Sequence, residues 1–144
     1  LQFANELLGY PYFIKGFVKH GRKVRRTIGF PTINLQYELS KYLIKDGVYV
    51  GYTTINGKNY ISTINVGHNP TVNTVEKKSI ESFVHDFDED VYQHRVTFHF
   101  LKLLRPEIKF ESVEALIEQM NKDIESSEQY FTEDKRRSYD IEII

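Results

Sequence analysis

The sequence contains no cysteine and no tryptophan, and it has only four prolines in 144 residues. Without cysteine the chain can form neither a disulfide framework nor a thiolate metal site. No apolar run approaches the ~20 residues that cross a membrane, and the chain does not open with a signal-peptide pattern. These absences predict a cytoplasmic protein that is held together by an ordinary hydrophobic core.

An excess of charge of either sign is also missing. Nineteen basic and twenty acidic residues give a formal net charge of −1, which argues against nucleic acid as a partner. The common nucleotide-binding loops and the nucleophile elbow are absent, and the five histidines show no metal-ligand spacing. Aromatic residues, in contrast, are plentiful, with ten tyrosines and ten phenylalanines. This composition predicts a single β-rich domain.

Six segments have the alternating or β-branched pattern of strands. They cover residues 12–20, 33–35, 47–55, 58–66, 79–87 and 96–104. Asn56-Gly57 separates the third and fourth segments and predicts a tight hairpin, because a type I′ turn needs two positive φ angles. Residues 67–74 read as a second turn-rich loop.

The last element has the period of a helix. Apolar residues recur at helical spacing over residues 113–124, and Ser112 is a suitable N-cap. A series of strands followed by one helix predicts a closed or nearly closed antiparallel barrel, with the helix covering an end or opening. We predict a lead-in at residues 1–11, the barrel and helix at 12–131, and a tail at 132–144.

The turn formed by residues 29–34 is the first candidate for chemistry. Thr32 and Asn34 lie two residues apart, so that on an extended chain their side chains point the same way. A hydroxyl and an amide carbonyl are neutral oxygen ligands that suit Mg²⁺ when it also holds phosphates. The alternative is that both side chains only satisfy the turn through local hydrogen bonds.

A basic run at residues 22–26 and the carboxylate of Glu81 are the other candidates. The basic run beside Gly21 is either a flap over phosphates or a solvated loop. On an alternating strand Glu81 shares a face with Phe83, His85 and Phe87, a setting that suits a general base. Its alternative is a structural ion pair with Lys77 or Lys78.

Five stretches in a fixed order resemble the riboflavin kinase family over about residues 9–125. They are GYPYFIKGFVKHGRKVRRTIGFPTINL, GVYVGY, INVGHNPT, SIESFVHDFDEDVY and LLRPEIKFES, which is followed by a helix that carries Asp123. The leading ANELLG is similar to the junction in bacterial bifunctional enzymes, where an FMN adenylyltransferase module precedes the kinase.

The resemblance implies a six-stranded antiparallel Greek-key barrel with a C-terminal α-helix. It also implies Mg²⁺-dependent transfer of the ATP γ-phosphoryl group to the ribityl 5′-hydroxyl of riboflavin, which gives FMN and ADP. Thr32 and Asn34 match the pair that binds the metal and ATP in this family. Gly21 and Arg26 match positions in a flap near the phosphates.

On the flavin side, Glu81 matches the family's proposed catalytic base, and Arg105 matches a residue near the flavin. Ile33 stands where the family usually has Ala, and we expect it to point away from its two neighbours in the metal site. Gln93 stands where a Gly usually follows the Asp-Val-Tyr turn.

Two further classes of function remain open to the sequence. One is a flavin- or nucleotide-binding barrel without turnover, which acts as a sensor or regulatory module. The other is a nucleic-acid-binding barrel, which the balanced charge disfavours. The coexistence of Thr32, Asn34 and Glu81 favours the enzyme, because a binding module needs no base.

Overall fold

The computed structural model describes residues 12–19, 31–37, 44–68, 78–87 and 89–133. These residues contain six strands and one helix. The elements are β1 (Tyr12–Lys19), β2 (Ile33–Gln36), β3 (Gly47–Ile55), β4 (Lys58–His68), β5 (Lys78–Val84), β6 (Arg95–Arg105) and α1 (Val113–Glu133).

The strands form a closed antiparallel barrel in the order β1-β2-β5-β4-β3-β6. Strands β3, β4 and β5 are neighbours in the sheet in chain order, and β6 returns to lie beside β3, which is the arrangement of a Greek key. The predicted six-stranded antiparallel barrel with a C-terminal helix is confirmed. Inward-facing side chains from every strand fill the interior, and Tyr49, Phe98 and Phe100 are the largest that are fully buried.

The hairpin between β3 and β4 has the predicted geometry. Asn56 and Gly57 have φ angles of 51° and 79°, the left-handed values that a type I′ turn requires. Strand β4 is longer than predicted and includes Gly67 and His68. The loop predicted from residue 67 therefore begins later, and residues 69–74 lie outside the described part of the chain.

Strand β5 is shorter than predicted because a turn follows Val84. Asp86 has a φ angle of 54°, which ends the alternation of side chains. Phe87 is thereby directed to the core, where its ring packs edge-on against Tyr60 at 5.0 Å. The prediction that Phe87 shares a face with Glu81 is wrong.

Helix α1 begins as predicted, with the Ser112 hydroxyl accepting a hydrogen bond from the amide of Ala115 at 3.1 Å. The predicted apolar stripe is wrong for Val113, which is 53% exposed, whereas Met120 and the carboxylate of Asp123 are buried. The face of α1 that meets the barrel is consequently partly polar. Farther along, an apolar cluster of Val50, Tyr52, Leu101 and Phe131 fixes the helix to the barrel.

His99 lies on β6 between two inward-facing phenylalanines, on the outer surface of the barrel. Its ring stacks on Tyr52 at 4.0 Å, and its Nε2 atom lies 3.0 Å from the hydroxyl of Thr54. Burial and the nearby Lys15 ammonium lower the pKa of His99 from 6.5 to about 4. This histidine is therefore neutral in the folded protein above that pH.

We expect acid to destabilise the fold through His99. Between pH 6.5 and about 4 the unfolded chain binds a proton at this position while the folded chain does not, so the free energy of unfolding falls as the pH falls. For a partly exposed ring the loss from about pH 7.5 to about pH 5 is about 1–2 kcal/mol. Urea unfolding at both pH values measures this loss of stability.

His99→Gln should reduce the loss, whereas the control His94→Gln, at an exposed position, should not. An equal pH dependence in all three proteins contradicts this origin.

Candidate functional site

One row of paired residues on the outer face passes through all six strands of the barrel. It runs Lys19, Asn34, Glu81, Asn65, Val48 and Arg105, each directly opposite the next. Directly opposed residues of antiparallel strands present their side chains on the same face. The topology thus puts the predicted site residues Asn34, Glu81 and Arg105 on the outer face of the barrel, with Asn34 next to Glu81 and Arg105 three strands farther along the row.

Asn34 and Glu81 face each other where β2 pairs with β5. Both are largely buried, with exposed fractions of 6% and 9%, and opposed Cβ atoms in such a pair are roughly 4.5–5.5 Å apart. Thr32 is half-buried and comes directly before β2. Ile33 packs into the barrel core, which confirms that it points away from Asn34. The pair places an amide and a carboxylate side by side at a partly enclosed position.

The ion pair considered as the alternative role of Glu81 involved Lys77 or Lys78. Lys77 lies outside the described residues. The Lys78 ammonium is 2.8 Å from an Asp46 carboxylate oxygen and donates to the Ile44 carbonyl at 2.8 Å. This lysine therefore connects β5 to the residues that lead into β3.

Arg105 forms a buried ion pair with Asp123 of helix α1. Its Nε donates to the two carboxylate oxygens at 2.9 and 3.1 Å, and its Nη2 donates to Oδ2 at 2.7 Å. The Gln119 side-chain amide also donates to Asp123, at 3.0 Å. The side chains of Arg105 and Asp123 are 16% and 8% exposed. Charge-assisted, two-pronged pairs of this kind have a well-defined geometry, so the pair fixes the helix relative to β6.

A narrow groove lies between α1 and the outer face of the barrel, beside this ion pair. Its lining residues are Val48, Thr63, Asn65, Phe83, Arg105, Leu116, Met120, Asp123 and Ile124. The groove has a volume of about 30 Å³, whereas an apolar cavity that accepts benzene has about 150 Å³. An aromatic ring can enter only if side chains of the helix or barrel move aside.

A buried chain of hydrogen bonds lies behind the groove. The Thr63 hydroxyl is 2.9 Å from Nε2 of His85 and 2.7 Å from the Ser127 hydroxyl. The other ring nitrogen of His85 is 3.3 Å from a Glu128 carboxylate oxygen. Burial lowers the pKa of His85, although the Glu128 carboxylate acts in the opposite direction. These contacts attach α1 to β4 and to the end of β5.

Several residues of this site were not singled out by sequence analysis as site residues. Asn65 and Thr63 stand inside or next to the INVGHNPT stretch, and Asp123 stood in the helix that follows the last matching stretch. Because their importance comes from contacts between distant elements, no local pattern could have identified their partners. Two predicted residues, Gly21 and Arg26, lie outside the described residues.

The described part of the chain contains no group of three or more His, Cys, Asp or Glu side chains that could hold a metal ion. Its helix is also not long and apolar enough to cross a membrane. The groups that could ligate a metal at the start of β2 are instead the Thr32 hydroxyl and the Asn34 amide oxygen, and the Glu81 carboxylate lies opposite Asn34.

Several known proteins are similar to this chain in sequence or in structure. A bifunctional riboflavin kinase/FMN adenylyltransferase from Listeria monocytogenes serovar 1/2a is 39% identical over 131 residues, covering 91% of this chain and 42% of the relative. The chain thus spans less than half the length of that relative. A crystal structure described as a macrolide-efflux protein from Streptococcus pneumoniae has a TM-score of 0.82 at 36% identity, covering 88% of this chain and 41% of that one.

The fold is also shared with a more distant protein. The riboflavin kinase from Trypanosoma brucei has a TM-score of 0.63 at 23% identity, covering 87% of this chain and 82% of that one. The family model described as riboflavin kinase, or flavokinase, matches residues 8–131. The chain belongs to the riboflavin kinase family.

Proposed function

We propose that this chain is a riboflavin kinase module that transfers the γ-phosphoryl group of ATP to the ribityl 5′-hydroxyl of riboflavin in a Mg²⁺-dependent reaction. The observation that carries the proposal is the direct pairing of Asn34 with Glu81 on the barrel face that also lines the groove under α1. The pairing supports a metal and phosphate ligand at Asn34 beside a base at Glu81, and the groove is where the flavin would enter once side chains of the helix or barrel move aside.

The phosphate end of the site is at the start of β2. Thr32 and Asn34 offer neutral oxygen atoms, which suit a Mg²⁺ ion that takes its remaining ligands from phosphates and water. When bound there, Mg²⁺ would neutralise phosphate charge. The family resemblance assigns Gly21 and Arg26 to a cover over the same phosphates. Phosphoryl transfer depends mainly on positioning and charge neutralisation, and these residues supply both.

Glu81 is the base in this proposal. Its carboxylate orients the ribityl 5′-hydroxyl and accepts the proton that leaves when the oxygen attacks phosphorus. Because Glu81 is opposite Asn34, the hydroxyl that it holds lies next to the phosphate end of the site. Positioning two reactants in this way removes much of the entropic barrier to their reaction.

The flavin ring is expected farther along the row, toward Arg105 and the groove. Phe83 offers an aromatic surface, and Leu116 and Met120 offer apolar contacts from the helix. Since the Arg105 guanidinium is engaged by Asp123, we assign Arg105 to framing the flavin end of the groove. In the whole protein we expect an N-terminal FMN adenylyltransferase module, by analogy with the Listeria relative, and a cytoplasmic location.

A direct assay tests the proposal. The chain is incubated with riboflavin, ATP and Mg²⁺, and the products are separated by chromatography. We expect FMN and ADP in equal amounts, no FMN when the metal is removed with a chelator, and recovery when Mg²⁺ is restored. Riboflavin binding without any FMN would contradict the proposal and favour a non-catalytic flavin-binding barrel.

A further inference from the structure

Asn65 occupies the centre of the outer row and is not one of the residues proposed to bind the metal, bind the phosphates or accept the proton. It lies on β4 opposite Glu81 on one side and Val48 on the other. Its side chain lines the groove under α1. It is therefore located between the proposed base and the flavin end of the site.

The Asn65 carbonyl oxygen, Oδ1, is buried and has no hydrogen-bond partner in the described part of the protein. The other polar side chains of the groove are engaged: Arg105 with Asp123, and the Thr63 hydroxyl with His85 and Ser127. A buried acceptor without a donor is costly and uncommon in folded proteins. The groove thus contains an acceptor that a ligand can satisfy.

The spacing of the strands indicates which part of a ligand reaches it. Adjacent strands are about 4.8 Å apart, which is shorter than an extended five-carbon ribityl chain. A substrate with its terminal hydroxyl at Glu81 on β5 therefore extends its polyol across Asn65 on β4. Its ring then lies beyond Asn65, on the side of Val48 and Arg105.

We propose that Oδ1 of Asn65 accepts a hydrogen bond from a ribityl hydroxyl and makes the site selective for flavins that carry a polyol chain. Asn65 is a positioning and specificity residue in this account, since it touches the substrate away from the reacting atoms. The inference rests on the proposed function, because that function places the terminal hydroxyl at Glu81.

Binding of two flavins tests the inference without turnover. Riboflavin carries the ribityl chain and lumiflavin has a methyl group in its place, and quenching of flavin fluorescence reports the Kd of each. Replacing Asn65 by leucine keeps the approximate shape and removes the acceptor. We expect Asn65→Leu to weaken riboflavin binding roughly 3- to 10-fold and to leave lumiflavin binding unchanged. An equal effect on both ligands, or no effect on either, overturns the inference.

Further measurements separate this role from a structural one. Asn65→Ala is the second variant if leucine disturbs packing, and Asn121→Ala, at an exposed helix position, is the control that should bind both flavins normally. In turnover assays Asn65→Leu should raise the KM for riboflavin and leave kcat nearly unchanged, because the hydrogen bond forms equally in the ground and transition states. A fall in kcat at a constant KM for riboflavin contradicts the proposed role of Asn65. Failure of the unmodified chain to make FMN rejects the proposed function, whereas the riboflavin-to-lumiflavin ratio tests Asn65 separately.

Discussion

Glu81→Gln is expected to lower kcat for FMN formation by about 10²- to 10⁴-fold. The amide has nearly the shape of the carboxylate but cannot accept the proton of the ribityl hydroxyl. The residue is opposite Asn34 in the sheet and is 9% exposed. Because glutamine and glutamate have nearly the same volume, the substitution removes the base with little change in packing. Since the amide can still hydrogen-bond a hydroxyl, the riboflavin Kd should stay near normal. Steady-state kinetics and fluorescence titration give the two quantities.

A matched substitution at the surface serves as the control. Glu111 is exposed and precedes the helix, and Glu111→Gln makes the same chemical change away from the outer row. It should retain the kcat of the unmodified chain. Unfolding curves for both variants verify that neither has lost structure. Turnover of Glu81→Gln at the unmodified rate would show that Glu81 is not the base.

Arg105→Ala is expected to lower the free energy of unfolding by about 3–5 kcal/mol. Among the described residues, the substitution leaves the Asp123 carboxylate, which is 8% exposed, with the Gln119 amide as its remaining donor. A buried charge that loses its partner is much less favourable than the same charge fully solvated. Urea denaturation with linear extrapolation measures the change. The groove should also lose its defined shape, so flavin affinity should fall with stability.

A double variant distinguishes the ion pair from simple loss of packing. In Arg105→Met with Asp123→Leu both charges are replaced by apolar groups of similar size, and such replacements are often neutral. We expect the double variant to recover most of the stability that Arg105→Ala loses. Lys102→Ala, at an exposed position of the same strand, should have little effect. If Arg105→Ala is as stable as Lys102→Ala, the ion pair does not hold the helix in place.

Features governed by neighbouring residues could be predicted from the sequence. The Asn56-Gly57 turn and the Ser112 cap both depend on a few consecutive residues, and both are confirmed. The end of β5 could not be predicted, because Asp86 adopts a positive φ angle that only its surroundings favour. Gln93 has a φ angle of 65°, the region that glycine prefers, which agrees with the Gly that the family usually has there.

Features that depend on contacts between distant segments could be predicted from the sequence only in part. The resemblance indicated Asn34, Glu81 and Arg105 one at a time, but their common row depends on which strands pair around the barrel. The partner of Arg105 is on the helix, and periodicity alone gave the helix an apolar face. The buried carboxylate of Asp123 interrupts that face, because it is matched to a cation on another element. The roles of Thr32 in metal binding and of Glu81 as base stay predictions.

The pairing of β2 with β5 joins these strands through only two residue pairs, Ile33 with Ser82 and Asn34 with Glu81, whereas β3 and β4 form a long local hairpin. Contacts that close long stretches of chain form slowly during folding. We therefore expect the hairpin to form early and this short seam to close late. Until this seam closes, the two proposed catalytic groups are not neighbours, so a newly made chain acquires its site only after β2 has paired with β5. A nucleotide or flavin that bridges the seam would then stabilise the native state over any partly folded one.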